Sequence, residues 1–320
     1  MRLDRAEGLR RTGLRLSSDM RAACTLAGIE WAGRHVPRRV ADRVTDLALD
    51  LGFERMTGER EVVSSNLSRV LGLPPSDPVV VATAREAFAL YVRYWYETFA
   101  LRSMSWDDVD RLFRPSGVEH IDEGLKAGRG VILALPHMGN WDAAGHWLAI
   151  HGYPLVAVAE ELQPPSLYQR FYRHRRALGM DIVPLQSGVG EQLARLLTDN
   201  RVVALLADRN IGGRGVRVDF FGEPASLPAG PAMLARATGA ALVPCAVFTQ
   251  PEGWICEVLP PMSVVSGGET RQDVRVTTAA LASQFESFVS AAPADWHMFQ
   301  PVWDAPGGDG RTEEGGTDRR

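Results

Sequence analysis

At Gly130 the spacing of apolar residues changes character, and this constrains the fold more than any other feature of the chain. Between about residues 18 and 101 apolar residues recur three and four apart, with breaks at Pro37, Gly58 and Leu73-Pro74-Pro75. That pattern predicts several helices and no strand. From Gly130 onward the apolar residues form short unbroken runs instead, at 131–135, 155–159, 202–207 and 242–248, with helix-compatible segments between them. Uniformly apolar strands are buried on both faces, as in a mainly parallel sheet covered by helices. Residues 216–221 alternate and are expected at a sheet edge.

The expected fold class is therefore α/β, a mainly parallel central sheet flanked by helices with an N-terminal helical part. Residues 1–115 form that helical, membrane-proximal part, 116–304 the α/β body, and 305–320 a disordered tail, the whole being one integrated domain. The tail is expected because 305–320 carry Gly-Gly-Asp-Gly and Glu-Glu-Gly-Gly with almost nothing apolar to offset the entropy of ordering.

Charge and cysteine usage narrow the function. A net charge of −4 gives no bulk attraction to phosphate backbones, which argues against a nucleic-acid partner. Cys24, Cys245 and Cys256 are too scattered for a disulfide framework or a structural zinc, and they fit a reducing cytoplasm. The most apolar helical stretch, 79–101, is cut by Arg85, Glu86, Arg93 and Glu97, so no membrane span is expected, and the first residues lack an apolar signal core.

In open parallel sheets ligands bind beyond the carboxyl ends of the strands. Here those ends are rich in charge: 131–135 leads into His137 and Asp142, 155–159 into Glu160 and Glu161, and 202–207 into Asp208 and Arg209. His137 and Asp142 would lie about 140° apart on one continuous helix, so His137 must precede the helix. Asn140 suits the N-cap, Asp142 the first turn, and Gly139 a tight turn that folds the ring back toward Asp142. A carboxylate on one ring nitrogen leaves the other free to take a proton from a hydroxyl, which makes a base without a protein nucleophile. Taken alone, the two residues also suit a carbonyl-bonded histidine and a capping aspartate. His146 and His151 follow in the same segment, yet their spacing matches no metal-ligand motif and no metal site is expected.

The H-x-x-x-x-D spacing of His137 and Asp142 resembles that of the glycerophospholipid and lipid A type acyltransferases. More closely, Leu135-Pro-His-Met-Gly-Asn-Trp-Asp142, Ala204-Leu-Leu-Ala-Asp-Arg209, Val218-Asp-Phe-Phe-Gly-Glu-Pro224, Leu227-Pro-Ala-Gly-Pro-Ala-Met-Leu-Ala235 and Thr238-Gly-Ala-Ala-Leu-Val-Pro244 resemble the phosphatidylinositol mannoside acyltransferases. The glycerol-phosphate branch carries a Pro-Glu-Gly-Thr block where this chain has Phe221-Gly-Glu-Pro224, which points away from a glycerol-phosphate acceptor.

The resemblance implies an O-acyltransferase with His137 and Asp142 catalytic, acyl-CoA as co-substrate, no cofactor, and a mannose hydroxyl of a phosphatidylinositol mannoside as acceptor, at the cytoplasmic face of the cell membrane. It also implies that Arg175 holds the acceptor's phosphate and that Glu160, Asp208, Arg209 and Glu223 shape the substrate site. Read without it, Asp208 and Arg209 suit a strand-end ion pair, Glu223 a turn, and the arginines near Arg175 a solvated helix face. Another lipid or lipid A type O-acyltransferase, or a non-catalytic lipid-binding protein, are the competing readings. Trp31, Arg34, His35, Val36, Arg38, Arg39, Val40 and Arg43 mix apolar and basic residues as surface-seeking helices do. Phe88, Tyr91, Trp95 and Phe99 share one helical stripe that suits core packing better than an acyl groove.

Overall fold

A computed structural model describes residues 28–161, 165–211, 213 and 215–303. The tail expected at 305–320 lies outside the described residues, as do residues 1–27.

The helical part runs through α1 (Arg38–Gly52), α2 (Thr57–Leu71) and α3 (Pro78–Ala100). Pro78 opens α3 with its fixed φ, and the Asp77 carboxylate accepts the Val79 N–H as N-cap. These helices share a core of their own around Leu49, Phe53, Leu67, Ala84 and Phe88. Two further helices, α4 (Trp106–Leu112) and α5 (Glu119–Lys126), flank the first strand, β1 (Phe113–Ser116). No helix among the described residues is long and apolar enough to cross a membrane.

Beyond α5 the strands and helices alternate: β2 (Val131–Leu135), α6 (Trp141–Ile150), β3 (Leu155–Ala159), α7 (Pro165–Ala177), β4 (Asp181–Pro184), α8 (Val189–Thr198) and β5 (Val202–Leu206). After these come the hairpin β6 (Val216–Phe220) and β7 (Glu223–Leu227), then α9 (Gly230–Thr238), β8 (Ala241–Thr249), β9 (Trp254–Val258) and α10 (Thr270–Ala291). Seven strands form one sheet in the order β1-β9-β8-β2-β5-β3-β4, parallel throughout except between β8 and β9. The α/β class and the parallel character follow the expectation, and every residue of β2 is buried.

The two faces of the sheet have different fillings. Ile132, Ala134, Val203, Leu205 and Leu242 pack against Leu281, Phe285 and Phe288 of α10. Leu133, Leu135 and Val243 face Ala143 and Leu148 of α6 on the other side.

The alternating segment is a correction. Val216–Phe220 pairs antiparallel with Glu223–Leu227 in a separate two-stranded sheet and is not an edge of the main one. Phe221 and Gly222 at its tip both have positive φ, 51° and 76°, as a two-residue hairpin loop of type I′ requires. The main sheet's edges are instead β4 and β1, and all of β1 but Ser116 comes from the stretch assigned to the helical part. The aromatic stripe of α3 is packing: Phe88 and Phe99 are buried, and Trp95 meets Phe171 of α7 at 5.1 Å.

Candidate active site

The site forms where β2 and β5 end side by side. Leu135 pairs with Leu206 in the parallel register, so His137 and Asp208, each two residues further on, emerge as neighbours. The imidazole Nδ1 lies 2.5 Å from Asp208 Oδ1, and the His137 backbone N–H donates to Asp208 Oδ2 at 2.8 Å. The Trp296 indole N–H donates to the same Oδ2, also at 2.8 Å. Asp208 is fully buried. Burial pushes its carboxyl up, but the His137 charge and these hydrogen bonds outweigh that and hold it below the usual carboxylate range.

The local chain follows the sequence reading. His137 precedes the helix, Asn140 Oδ1 accepts the Ala143 N–H at 2.9 Å as N-cap, and α6 begins at Trp141. Gly139 has φ 55°, and a Cβ there would meet the Val247 carbonyl oxygen at 2.3 Å, so only glycine fits. The ring's partner differs, however: Asp208 occupies the place expected for Asp142.

Asp142 is turned instead toward α7. Arg175 Nε donates to its Oδ1 at 2.6 Å and Arg175 Nη2 to its Oδ2 at 3.0 Å, a two-pronged pair completed by the Tyr94 hydroxyl at 2.8 Å. Burial raises the Asp142 carboxyl, and Arg175 and Tyr94 together bring it below its usual range. Arg175 is thus paired inside the protein, where the resemblance implied an acceptor phosphate.

Glu160 and Arg209, at the ends of β3 and β5, form a partly exposed ion pair beside Asp208, and no hydrogen bond reaches Arg209 Nε among the described residues. Glu223 sits apart, half-exposed on β7, where it accepts from Arg69 Nε at 2.8 Å. His146 and His151 also go elsewhere, to the Leu178 carbonyl and to Asp110.

Two features were missed in the sequence. One is Trp296, which reaches the site only because the chain after α10 returns across the strand ends. A tryptophan in an Ala-Asp-Trp-His stretch, 88 residues from Asp208, gives no sign of this. The other is an apolar cavity of about 80 Å³ between the sheet and α6. Leu135, Leu206, Cys245, Cys256 and Trp141 line it, and it extends to Asp142 and Arg175. Burial raises the thiols of Cys245 and Cys256, the latter to about 12, so they line the cavity as neutral small apolar groups.

A carboxylate-held histidine at the carboxyl edge of a parallel sheet, beside an apolar cavity, can take a proton from a group brought to it, and the chain's relatives are acyltransferases. The profile described as bacterial lipid A biosynthesis acyltransferase matches residues 19–305. A phosphatidylinositol mannoside acyltransferase of Mycobacterium tuberculosis (strain CDC 1551 / Oshkosh) is 42% identical over 307 residues, spanning 91% of this chain and 93% of the relative. Its namesake in Mycolicibacterium smegmatis is 44% identical over 268 residues, 83% and 86% of the two chains. A lipid A biosynthesis acyltransferase of Haemophilus influenzae is 27% identical over 184 residues, 56% and 55% of the two. The chain belongs to the bacterial lipid A biosynthesis acyltransferase family.

Proposed function

We propose that this acyltransferase moves a fatty acyl group from acyl-CoA onto a mannose hydroxyl of a phosphatidylinositol mannoside, with His137 as general base. The observation that carries this reading is the His137–Asp208 pair: Nδ1 is held by a buried carboxylate, and no Ser, Thr or Cys hydrogen-bonds to Nε2 among the described residues. Nε2 takes the proton of the acceptor hydroxyl as its oxygen bonds to the thioester carbonyl carbon. The tetrahedral intermediate then collapses, the C–S bond breaks, and the imidazolium returns the proton to the departing thiolate. Asp208 fixes the ring and stabilises its charged form; Asp142 keeps Arg175 and the start of α6 in place.

The acceptor rests on the names of the relatives that cover nearly the whole chain. The donor rests on the cavity, whose apolar lining suits an alkyl chain. The partly exposed Glu160 and Arg209 offer acceptor and donor groups for a sugar phosphate at the strand ends. Membrane attachment is peripheral, at the cytoplasmic face. On α1, Val40, Val44, Leu47 and Leu51 form a stripe 48–68% exposed, with Arg39 and Arg43 exposed beside it and Asp46 and Asp50 drawn to Arg85, and this apolar stripe supports seating on a lipid surface.

The test is thiol release from palmitoyl-CoA, with and without phosphatidylinositol mannoside in anionic vesicles, by the intact protein and by His137→Ala. Acceptor-dependent release that His137→Ala lowers at least a hundredfold is expected. Equal release by both proteins would remove His137 as base, and release indifferent to this acceptor would remove the acceptor.

A further inference from the structure

Three consecutive residues after α10 each bind the turn that carries His137 or the carboxylate behind it. The Asp295 carbonyl accepts the Gly139 N–H at 3.1 Å, and the His297 N–H donates to the His137 carbonyl at 2.8 Å. Between them Trp296 pairs with Met138 in a single antiparallel bridge and donates its indole N–H to Asp208 Oδ2. The indole is 2% exposed and lies edge-on to Phe220 and Trp303, at 6.1 Å and 6.2 Å. Its ring is therefore fixed by packing that does not depend on the hydrogen bond.

The division of labour on Asp208 is what gives Trp296 its leverage. Oδ1 meets the ring, while Oδ2 takes two donors, the His137 backbone N–H and the indole. Two donors on one oxygen set the rotation of the carboxylate plane and favour its charged form, so the other oxygen stays aimed at Nδ1–H. With one donor gone, the carboxylate can turn about its own bond or share the ring's proton, and Nε2 is less often the bare nitrogen.

We propose that Trp296 is a positioning residue for acyl transfer, acting through Asp208 to keep His137 in the tautomer and orientation that accept the hydroxyl proton. This rests on the general-base reading above. The substrate sites lie beyond the strand ends and in the cavity, whose lining does not include Trp296. Loss of its N–H should therefore leave substrate affinity alone.

The experiment is a kinetic cycle of Trp296→Phe, Asp208→Ala and the double variant, with kcat and both KM values measured alongside thermal unfolding. Trp296→Phe is expected to lower kcat about tenfold with each KM within twofold of the parent. In the Asp208→Ala background the same change should leave kcat within twofold, because nothing remains for the N–H to act through. Replacing Trp296 by benzothienylalanine, which exchanges the N–H for sulfur at nearly constant shape, should repeat the Trp296→Phe loss if the phenylalanine variant folds poorly. Trp303→Phe is the control: its indole donates to the Phe220 carbonyl at 3.0 Å, and its loss should lower Tm without lowering kcat. An unchanged kcat in both Trp296 variants, a change confined to KM, or an equal loss with and without Asp208 would overturn the proposal. If His137→Ala proves fully active, the base reading itself has failed; if it is inactive while Trp296→Phe keeps the parent kcat, only the positioning role has.

Discussion

Asp208 and Asp142 are both almost wholly buried and both held in the charged form, yet they occupy opposite situations. Asp208 faces a group that gains and loses a proton, and its other contacts are backbone and indole N–H donors. Asp142 faces a permanent cation: burial alone would lower the Arg175 pKa, but the charge and hydrogen bonds of Asp142 outweigh it and raise that pKa above its ordinary value. A carboxylate tied to arginine serves as structure, whereas one tied to imidazole can follow a proton. The aspartate that completes the spacing motif is paired with an arginine, and the aspartate on the neighbouring strand is paired with the imidazole.

The contrast would break first at Asp208. Asp208→Asn keeps the volume but lets the amide favour the other ring tautomer, so kcat should fall roughly 10³- to 10⁴-fold with a modest change in stability. If steady-state assays show less than a tenfold loss, Asp208 is not what holds the ring. Asp142→Asn should act through the fold, because it leaves the Arg175 charge buried without its partner. Denaturant titration should show a loss of about 3–5 kcal/mol, and the double variant Asp142→Leu/Arg175→Met should recover most of it. A double variant that is stable but inactive would give Asp142 a chemical role after all.

The smallest effect separates the two regions by pH. His297 lies on the Asp208 side, its Nε2 against the Gly139 carbonyl, and burial pushes its pKa down to about 3. A histidine lowered in the fold contributes fully above its unfolded value of about 6.5 and loses that contribution as pH falls toward 3. Asp208 and Asp142, also lowered, keep their contributions down to about pH 4 and lose them as pH falls further, through their folded values. Between pH 6.5 and 4.5 unfolding free energy should therefore fall with a slope on the order of 1 kcal/mol per pH unit, and His297→Gln should flatten it. Hydrogen exchange would show the opening around 137–139 before that around Asp142; equal slopes in both proteins would mean that His297 is not held neutral.

Much of this was legible in the sequence, for reasons that also explain what was not. The strands buried on both faces announce themselves as unbroken apolar runs, and Asn140 and Gly139 fix where α6 starts. β1 carries Pro115 and buries only Phe113 fully, and β9 alternates because its other face is more open. Such strands read as loop. The partner of His137 could not be read, because it depends on β5 entering the sheet between β2 and β3, out of chain order. Spacing along the chain favours Asp142; spacing across the sheet delivers Asp208.

The hydrogen bond from Trp296 to Asp208 also has an order in time during synthesis. These residues are 88 apart, and ribosomes add about 5–20 residues each second, so the carboxylate emerges on the order of ten seconds before the indole that steadies it. β8 and β9 are made within the same interval, so the strands that close the sheet beside β2 come before the indole, and the hold on Asp208 is completed only after them.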